Sequence, residues 1–214
     1  KGAHGGKYGL KVRVNKGDHY GASLEWLFRR NARPEPEELY FRYYVRFDPN
    51  WLAGRGGKMP GFTGTGKLGW GGRKADGVNG WSARGMQRRV RGTNHVQMGS
   101  YVYHIDQRSQ YGSEWDWGEG GRFELDRLYC VEQHVKMNTI GKADGILRAW
   151  VNGKQVFERA DIRFRSAPEL KVKGVWINVY VGGSWTSEQD MDACFDDVVI
   201  SSGPIGIGKQ RDEG

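Results

Sequence analysis

Cysteine is nearly absent: the 214 residues contain only Cys130 and Cys194. Two thiols make no disulfide scaffold and no cysteine-based metal site; they either pair, if the fold brings them together, or lie apart as buried thiols. No other cluster has metal-ligand spacing, so neither metal nor cofactor is expected. No apolar run approaches a membrane span, and no basic-then-apolar leader opens the chain, so no membrane partner is expected. The opening "KGAHGGKYG" is compatible with a processed mature end. Helical periodicity is scarce, no internal repeat is visible, and no linker marks a boundary, so residues 1–214 read as one domain acting as a monomer.

What the chain does have is rings, positive charge and alternation. Aromatics make up 13% of residues, including nine Trp and ten Tyr, enough to fill a core and leave a surplus for lining a groove. The formal charge of +8 favours an anionic partner. Period-two patterning recurs throughout. In "ELYFRYYVRF", Leu39, Phe41, Tyr43, Val45 and Phe47 share one face and Tyr40, Arg42, Tyr44 and Arg46 the other. "GVWINVYVGG" sorts Val175, Ile177, Val179 and Val181 against Trp176, Asn178 and Tyr180. "CVEQHVKMN" sorts Val131, Val135 and Met137 against Glu132, His134, Lys136 and Asn138. Asn152-Gly153 suits a type I′ hairpin turn. About a dozen such strands predict an all-β fold, a jelly-roll sandwich of two antiparallel sheets with one functional outer face. Residues 54–80 and 106–122 interrupt the rhythm as two long loops, the kind that wall a groove.

Three motifs are decoys. "GFTGTGKL" resembles a phosphate-binding loop, but Leu68 stands where a magnesium-holding hydroxyl is needed, and neither a buried strand nor a helix flanks it. "EWDWGE" spaces Glu114, Asp116 and Glu119 as some jelly-roll glycoside hydrolases space their paired carboxylates, but the flanking Gly, Ser and Trp read as a solvated turn. "RGMQRRVR", residues 84–91, belongs to no nucleic-acid module, so no nucleic-acid partner is expected and an acidic-glycan groove suits the charge better.

The remaining motifs form a series: "GGKMPG", "WSARGM", "YVYH", "EQHVKMNT" with "GKADGILRAWVNGK", then "NVYVGGSW" and "FDDVVIS". From about residue 40 to 200 this order resembles the polysaccharide lyases of family 14, and the architecture is related to that of family 20 glucuronan lyases. The resemblance implies a concanavalin-like jelly roll whose concave sheet carries Lys58, Ser82, Arg84, Tyr101 and Tyr103 as the catalytic set. It implies a polysaccharide lyase, secreted or periplasmic, acting on a 4-linked polyuronate such as alginate or glucuronan by metal-independent β-elimination.

Those residue types suit that chemistry. The proton at C5 of a uronate is weakly acidic until a cation disperses the charge developing on its carboxylate. Arg84 and Lys58 are the candidates for that role, with Ser82 assisting by a hydrogen bond. A tyrosine, Tyr103 or Tyr101, then takes the C5 proton and protonates the departing O4. Lowering its pKa of about 10 by two units needs roughly 2.7 kcal/mol from nearby cations. Strand parity nominates Arg42, Tyr44, Arg88, His134, Asn138, Asn178 and Tyr180 as sugar-binding residues, whereas His104, of opposite parity to the tyrosines, reads as structural. Residues 63–80, "TGTGKLGWGGRKADGVNG", at the groove rim, are expected to decide which uronate fits. A non-catalytic carbohydrate-binding jelly roll and a hydrolase using Glu114, Asp116 and Glu119 are the alternatives.

Overall fold

The computed structural model describes residue 4 and residues 8–208. Among these described residues, thirteen strands and two short 3-10 turns form an all-β jelly roll of two antiparallel sheets. The first sheet runs β1 (Leu10–Val14), β13 (Met191–Ser201), β3 (Glu38–Phe47), β9 (Leu128–Lys136), β10 (Gly145–Val151), β11 (Lys154–Ile162). The second runs β2 (Tyr20–Leu27), β12 (Val172–Val181), β4 (Gly57–Gly64), β5 (Ser82–Arg89), β6 (Val96–Tyr103), β7 (Ser113–Asp116), with β8 (Arg122–Phe123) also on β6.

Alternation explains the sandwich. Phe41, Tyr43, Val45 and Phe47 project from β3 into a core completed by Met59, Phe62, Val102, Val175 and Val179. Each such side chain contributes about 1.5–3 kcal/mol by leaving water. The buried Tyr43 hydroxyl accepts a hydrogen bond from Gln133, whose amide also donates to Pro60 O at 2.9 Å, so this polar pair inside the core is satisfied. Asn152 and Gly153, at φ 49° and 78°, make the tight β10–β11 turn their sequence predicts.

Two expectations are corrected. The stretch 54–80 is not all loop: Gly57–Gly64 is a central strand, hydrogen-bonded to β12 on one side and β5 on the other. Its neighbours supply the order that its glycines do not. Pro60 sits at a register shift between Met59 and Gly61, the bulge position that tolerates a missing N–H. Likewise Ser113–Asp116, expected as a solvated turn, is an edge strand paired with β6. The two cysteines are free thiols on opposite sides of β3, opposite Tyr44 and Arg46 respectively. Two strand spacings, about 9.6 Å, exceed the reach of a disulfide.

Candidate active site

The outer face of the second sheet carries a groove of about 880 Å3. Register places its residues in rows across the strands. One row reads Trp176, Gly61, Arg84, Tyr101, Glu114 from β12 to β7; the next reads Tyr180, Lys58, Met86, Gly99, Asp116. Ser82 and Tyr103 face each other in a third. Neighbouring strands lie about 4.8 Å apart, so this register alone crowds two cations and two phenols into one patch.

Arg84 is buried, at 6% exposure. It donates to Asn178 Oδ1 at 3.0 Å, and its guanidinium carbon lies 4.8 Å from the centre of the Trp176 ring. Its Nε has no partner, and among the described residues no carboxylate lies within ion-pair distance. Burial pulls its pKa below the usual guanidinium value, although arginine stays charged in any protein setting. Lys58 Nζ lies 3.3 Å from the centroid of the Tyr101 ring. Burial first, and then repulsion from Arg84, bring its pKa down from 10.5 to about 7, with Glu114 pulling the other way. Glu114 lines the same groove.

The phenols differ. Tyr101 accepts from Gly112 N–H at 3.2 Å, and burial raises its pKa above the ordinary value. Tyr103, edge-on to Tyr101 at 5.6 Å, accepts from Gly72 N–H at 2.8 Å. Gly71 and Gly72, at φ 60° and 77°, form the tip of a turn bridged from Trp70 to Arg73. Both positions need the left-handed backbone that glycine adopts freely. A Cβ on Gly72 would also lie 3.3 Å from the Tyr111 ring.

Ser82 has a different task from the one expected. Its hydroxyl is fully buried and donates to Gly69 O at 2.6 Å, which ties down the base of that turn instead of reaching toward the groove. His104 is buried with Nε2 2.9 Å from Ser113 Oγ, and burial lowers its pKa, in keeping with a structural role.

Of the seven expected sugar-binding residues, the groove sheet holds Asn178, Tyr180 and Arg88; Arg88 pairs with Asp116. Arg42, Tyr44, His134 and Asn138 are corrected. The first three lie on β3 and β9 of the opposite sheet, and Asn138 follows β9. Arg42 is held by Asp197 and by the carbonyl of Gly206, and the His4 ring stacks on Tyr44 at 3.5 Å. His134 pairs with Glu38, burial keeping its pKa low. Asn138 bonds the backbone of Phe164 and Arg165. Strand parity is the same on both outer faces, so it could not tell one sheet from the other. Sequence reasoning missed Trp176, Gly72 and Trp185, and held Glu114 only for the hydrolase alternative. Trp176 was visible in the alternation; the others sit in glycine-rich stretches that read as loop.

A groove of aromatics and unpaired cations on one sheet of a jelly roll defines a carbohydrate-active protein whose ligand is acidic. The family model for Polysaccharide lyase 14 matches residues 7–198, and the chain belongs to that family of polysaccharide lyases. Among solved structures, the alginate lyase Aly36B is 28% identical, with 90% of this chain and 80% of that chain covered and a TM-score of 0.77. A variant of that enzyme, with a lysine and a tyrosine replaced by alanine, in complex with alginate tetrasaccharide, is 26% identical, covering 93% and 82%, TM-score 0.77. The endo-β-1,4-glucuronan lyase of the fungus Trichoderma reesei shares the fold at 12% identity, covering 92% and 82%, TM-score 0.61. No curated protein sequence matches.

Proposed function

We propose that this lyase cleaves a 4-linked polyuronate, alginate or glucuronan, by β-elimination in the groove of the second sheet. The observation that carries the reading is the pair Arg84 and Lys58. Both basic groups are held in a desolvated groove with no carboxylate in ion-pair contact among the described residues, Glu114 acting on Lys58 only from a distance, an arrangement costly to the protonated forms unless an anionic substrate completes it. The likeness to a lyase crystallised with an alginate oligosaccharide supports the same substrate class.

The geometry favours a division of labour different from the one residue types alone suggest. Arg84, permanently charged and with an orphaned Nε, pairs with the uronate carboxylate and disperses charge as the C5–H bond breaks. Lys58, with a pKa of about 7, is neutral often enough near neutrality to take the C5 proton. Tyr101, kept protonated by its burial, donates to O4 as the C4–O4 bond breaks and the C4–C5 double bond forms. Lys58 ends as ammonium and Tyr101 as phenolate. The 3.3 Å contact between them lets the phenolate be stabilised at once, and proton exchange with solvent resets the pair. Asn178 positions Arg84, and Tyr103, clamped by Gly72, forms the wall beside Tyr101. Such polymers lie outside the cytoplasm, so the reading includes a secreted or periplasmic location.

Hydrolysis is the weaker reading: Asp116 is taken by Arg88, and Glu119 by Arg122, leaving Glu114 alone in the groove. The deciding assay offers mannuronate, guluronate and glucuronate polymers separately and follows ultraviolet absorbance of the unsaturated end together with new reducing ends. Elimination yields both and hydrolysis only the second; neither signal on any polymer would sink both enzyme readings. For elimination, kcat/KM rises with pH through about 7 as the Lys58 ammonium deprotonates. Substrate carboxylate bound to Arg84 weakens the repulsion on Lys58, so kcat rises at a higher pH than kcat/KM. A kcat/KM profile flat from pH 6 to 8 would remove Lys58 as the base.

A further inference from the structure

The basic run at residues 84–91 is only partly used by the groove. Arg84 serves the centre, but the remaining arginines gather elsewhere. A second cleft of about 640 Å3 is lined by Arg55, Arg88, Arg89 and Arg91, with Leu52, Gly54, Gly92 and one acid, Glu188. Arg55 and Arg88 also line the groove, so the two spaces are continuous. Two segments bring these arginines together. Arg55 comes from the loop before β4, Arg88 and Arg89 from the end of β5, and Arg91 from the turn directly after it, closed by the hydrogen bond from Val90 N–H to His95 O.

The charge is only partly compensated. Arg88 pairs with Asp116, but among the described residues Arg55, Arg89 and Arg91 have no carboxylate within ion-pair distance. Bringing four guanidinium groups together with one ion pair, Arg88–Asp116, and one further acid in the lining, Glu188, leaves an excess of positive charge that is unfavourable by itself and is relieved by a polyanion. Between cleft and centre stands Trp185, packed so closely over Gly54 that a Cβ there would lie 2.2 Å from its ring. Trp185 also lines the groove, and a flat ring of this kind offers the apolar face of a sugar a place to stack. Arg88 follows Arg84 by four residues along β5, about 13 Å at the usual strand rise, farther than one sugar ring reaches.

We infer that this arginine cleft is a distal subsite, holding the carboxylates of uronate units several places from the scissile bond and making productive binding depend on chain length. The inference rests on the polyuronate reading above and adds to it where along the chain the enzyme takes hold. Guanidinium groups suit this task because they pair with carboxylates in two-pronged fashion and carry charge at every working pH.

The test uses oligouronates of three to eight units and the double variant Arg89→Gln/Arg91→Gln, neither residue belonging to the catalytic groove. For the wild type, kcat/KM is expected to climb with length and then level once the chain spans the cleft, and the variant to lose about tenfold on the long oligomers and nothing on the trimer. The wild-type advantage on long chains is expected to fade as salt shortens the screening length. An unchanged length dependence in the variant overturns the proposal, as does an equal loss on trimer and octamer, which would mean damage to the centre. If the wild type turns over no oligomer, the polyuronate reading fails independently. Retardation of both proteins in a polyuronate gel then decides the cleft, equal retardation overturning it.

Discussion

Replacing Lys58 by methionine is expected to stabilise the protein while abolishing its activity. In the unfolded chain this amine has a pKa of 10.5; in the groove it has one of about 7. The folded state therefore resists a proton that the unfolded state takes up readily, and stability falls as pH drops from 10.5 towards 7. Below 7 both states carry the proton and the full penalty remains. Taken at face value the difference amounts to about 4–5 kcal/mol, and solvent at the groove mouth reduces it to roughly 2–3 kcal/mol. Methionine keeps the length and apolar stem of lysine and discards the charge. The melting temperature should rise by about 5–10 °C at pH 6 for a chain of this size. The gap between variant and wild type should shrink steadily between pH 7 and 10.5. Thermal unfolding across that range, read by circular dichroism, measures it. A variant no more stable than wild type, or a gap that does not vary with pH, would refute the claim that the groove holds this amine against its own solvation.

The other expectations are smaller. Ser82→Ala removes the bond that holds Gly69 O and leaves that carbonyl without its partner, so kcat should fall about tenfold, with amides 69–73 losing hydrogen-exchange protection; full protection in the variant would contradict the anchoring role. Gly72→Ala places a side chain at φ 77° against the Tyr111 ring and should lower kcat through displacement of Tyr103; an unchanged kcat would show that the clamp on Tyr103 is dispensable. Arg42→Met, on the opposite sheet, should lower the melting temperature by removing the Asp197 and Gly206 contacts and leave KM untouched; a raised KM would return that face to substrate binding.

Alternation made the two-sheet jelly roll legible, because burial of one face is a local property that each strand carries in its own residues. Which sheet a strand joins is not local. β3 and β12 each present rings and polar groups outward, yet β3 pairs with β13 and β9 while β12 pairs with β2 and β4. Arg42 and His134 therefore shared parity with Asn178 and Tyr180 and ended on the far side of the molecule. Lys58 and Glu114 lie on strands whose glycines, proline and charges have low strand preference, and these segments are ordered by partners remote in sequence. Lys58 is legible in the sequence only through the resemblance of its motif to a family pattern. Glu114 lies in a stretch whose composition reads as a turn. The role of Ser82 was out of reach of any sequence pattern, because it depends on where Gly69 comes to rest.

What distinguishes the site from the rest of this highly charged protein is how its cations are satisfied. Three arginines are buried to a similar degree: Arg42, Arg84 and Arg165. Arg165 meets Glu37 and the carbonyls of Asn138, Pro168 and Leu170, and Arg42 meets Asp197 and the Gly206 carbonyl. Arg42, like Arg84, leaves its Nε without a partner, but both Arg42 and Arg165 have the carboxylate that a buried guanidinium needs to offset its desolvation. Arg84 receives one amide oxygen and a ring face, and the nearest cation, Lys58, repels it. Hydrophobic side chains of similar volume at these two positions would make a more stable sheet. The fold thus holds a deficit of negative charge in the middle of a groove shaped for a chain molecule, and a uronate carboxylate supplies that deficit at the moment the neighbouring C–H bond must become acidic.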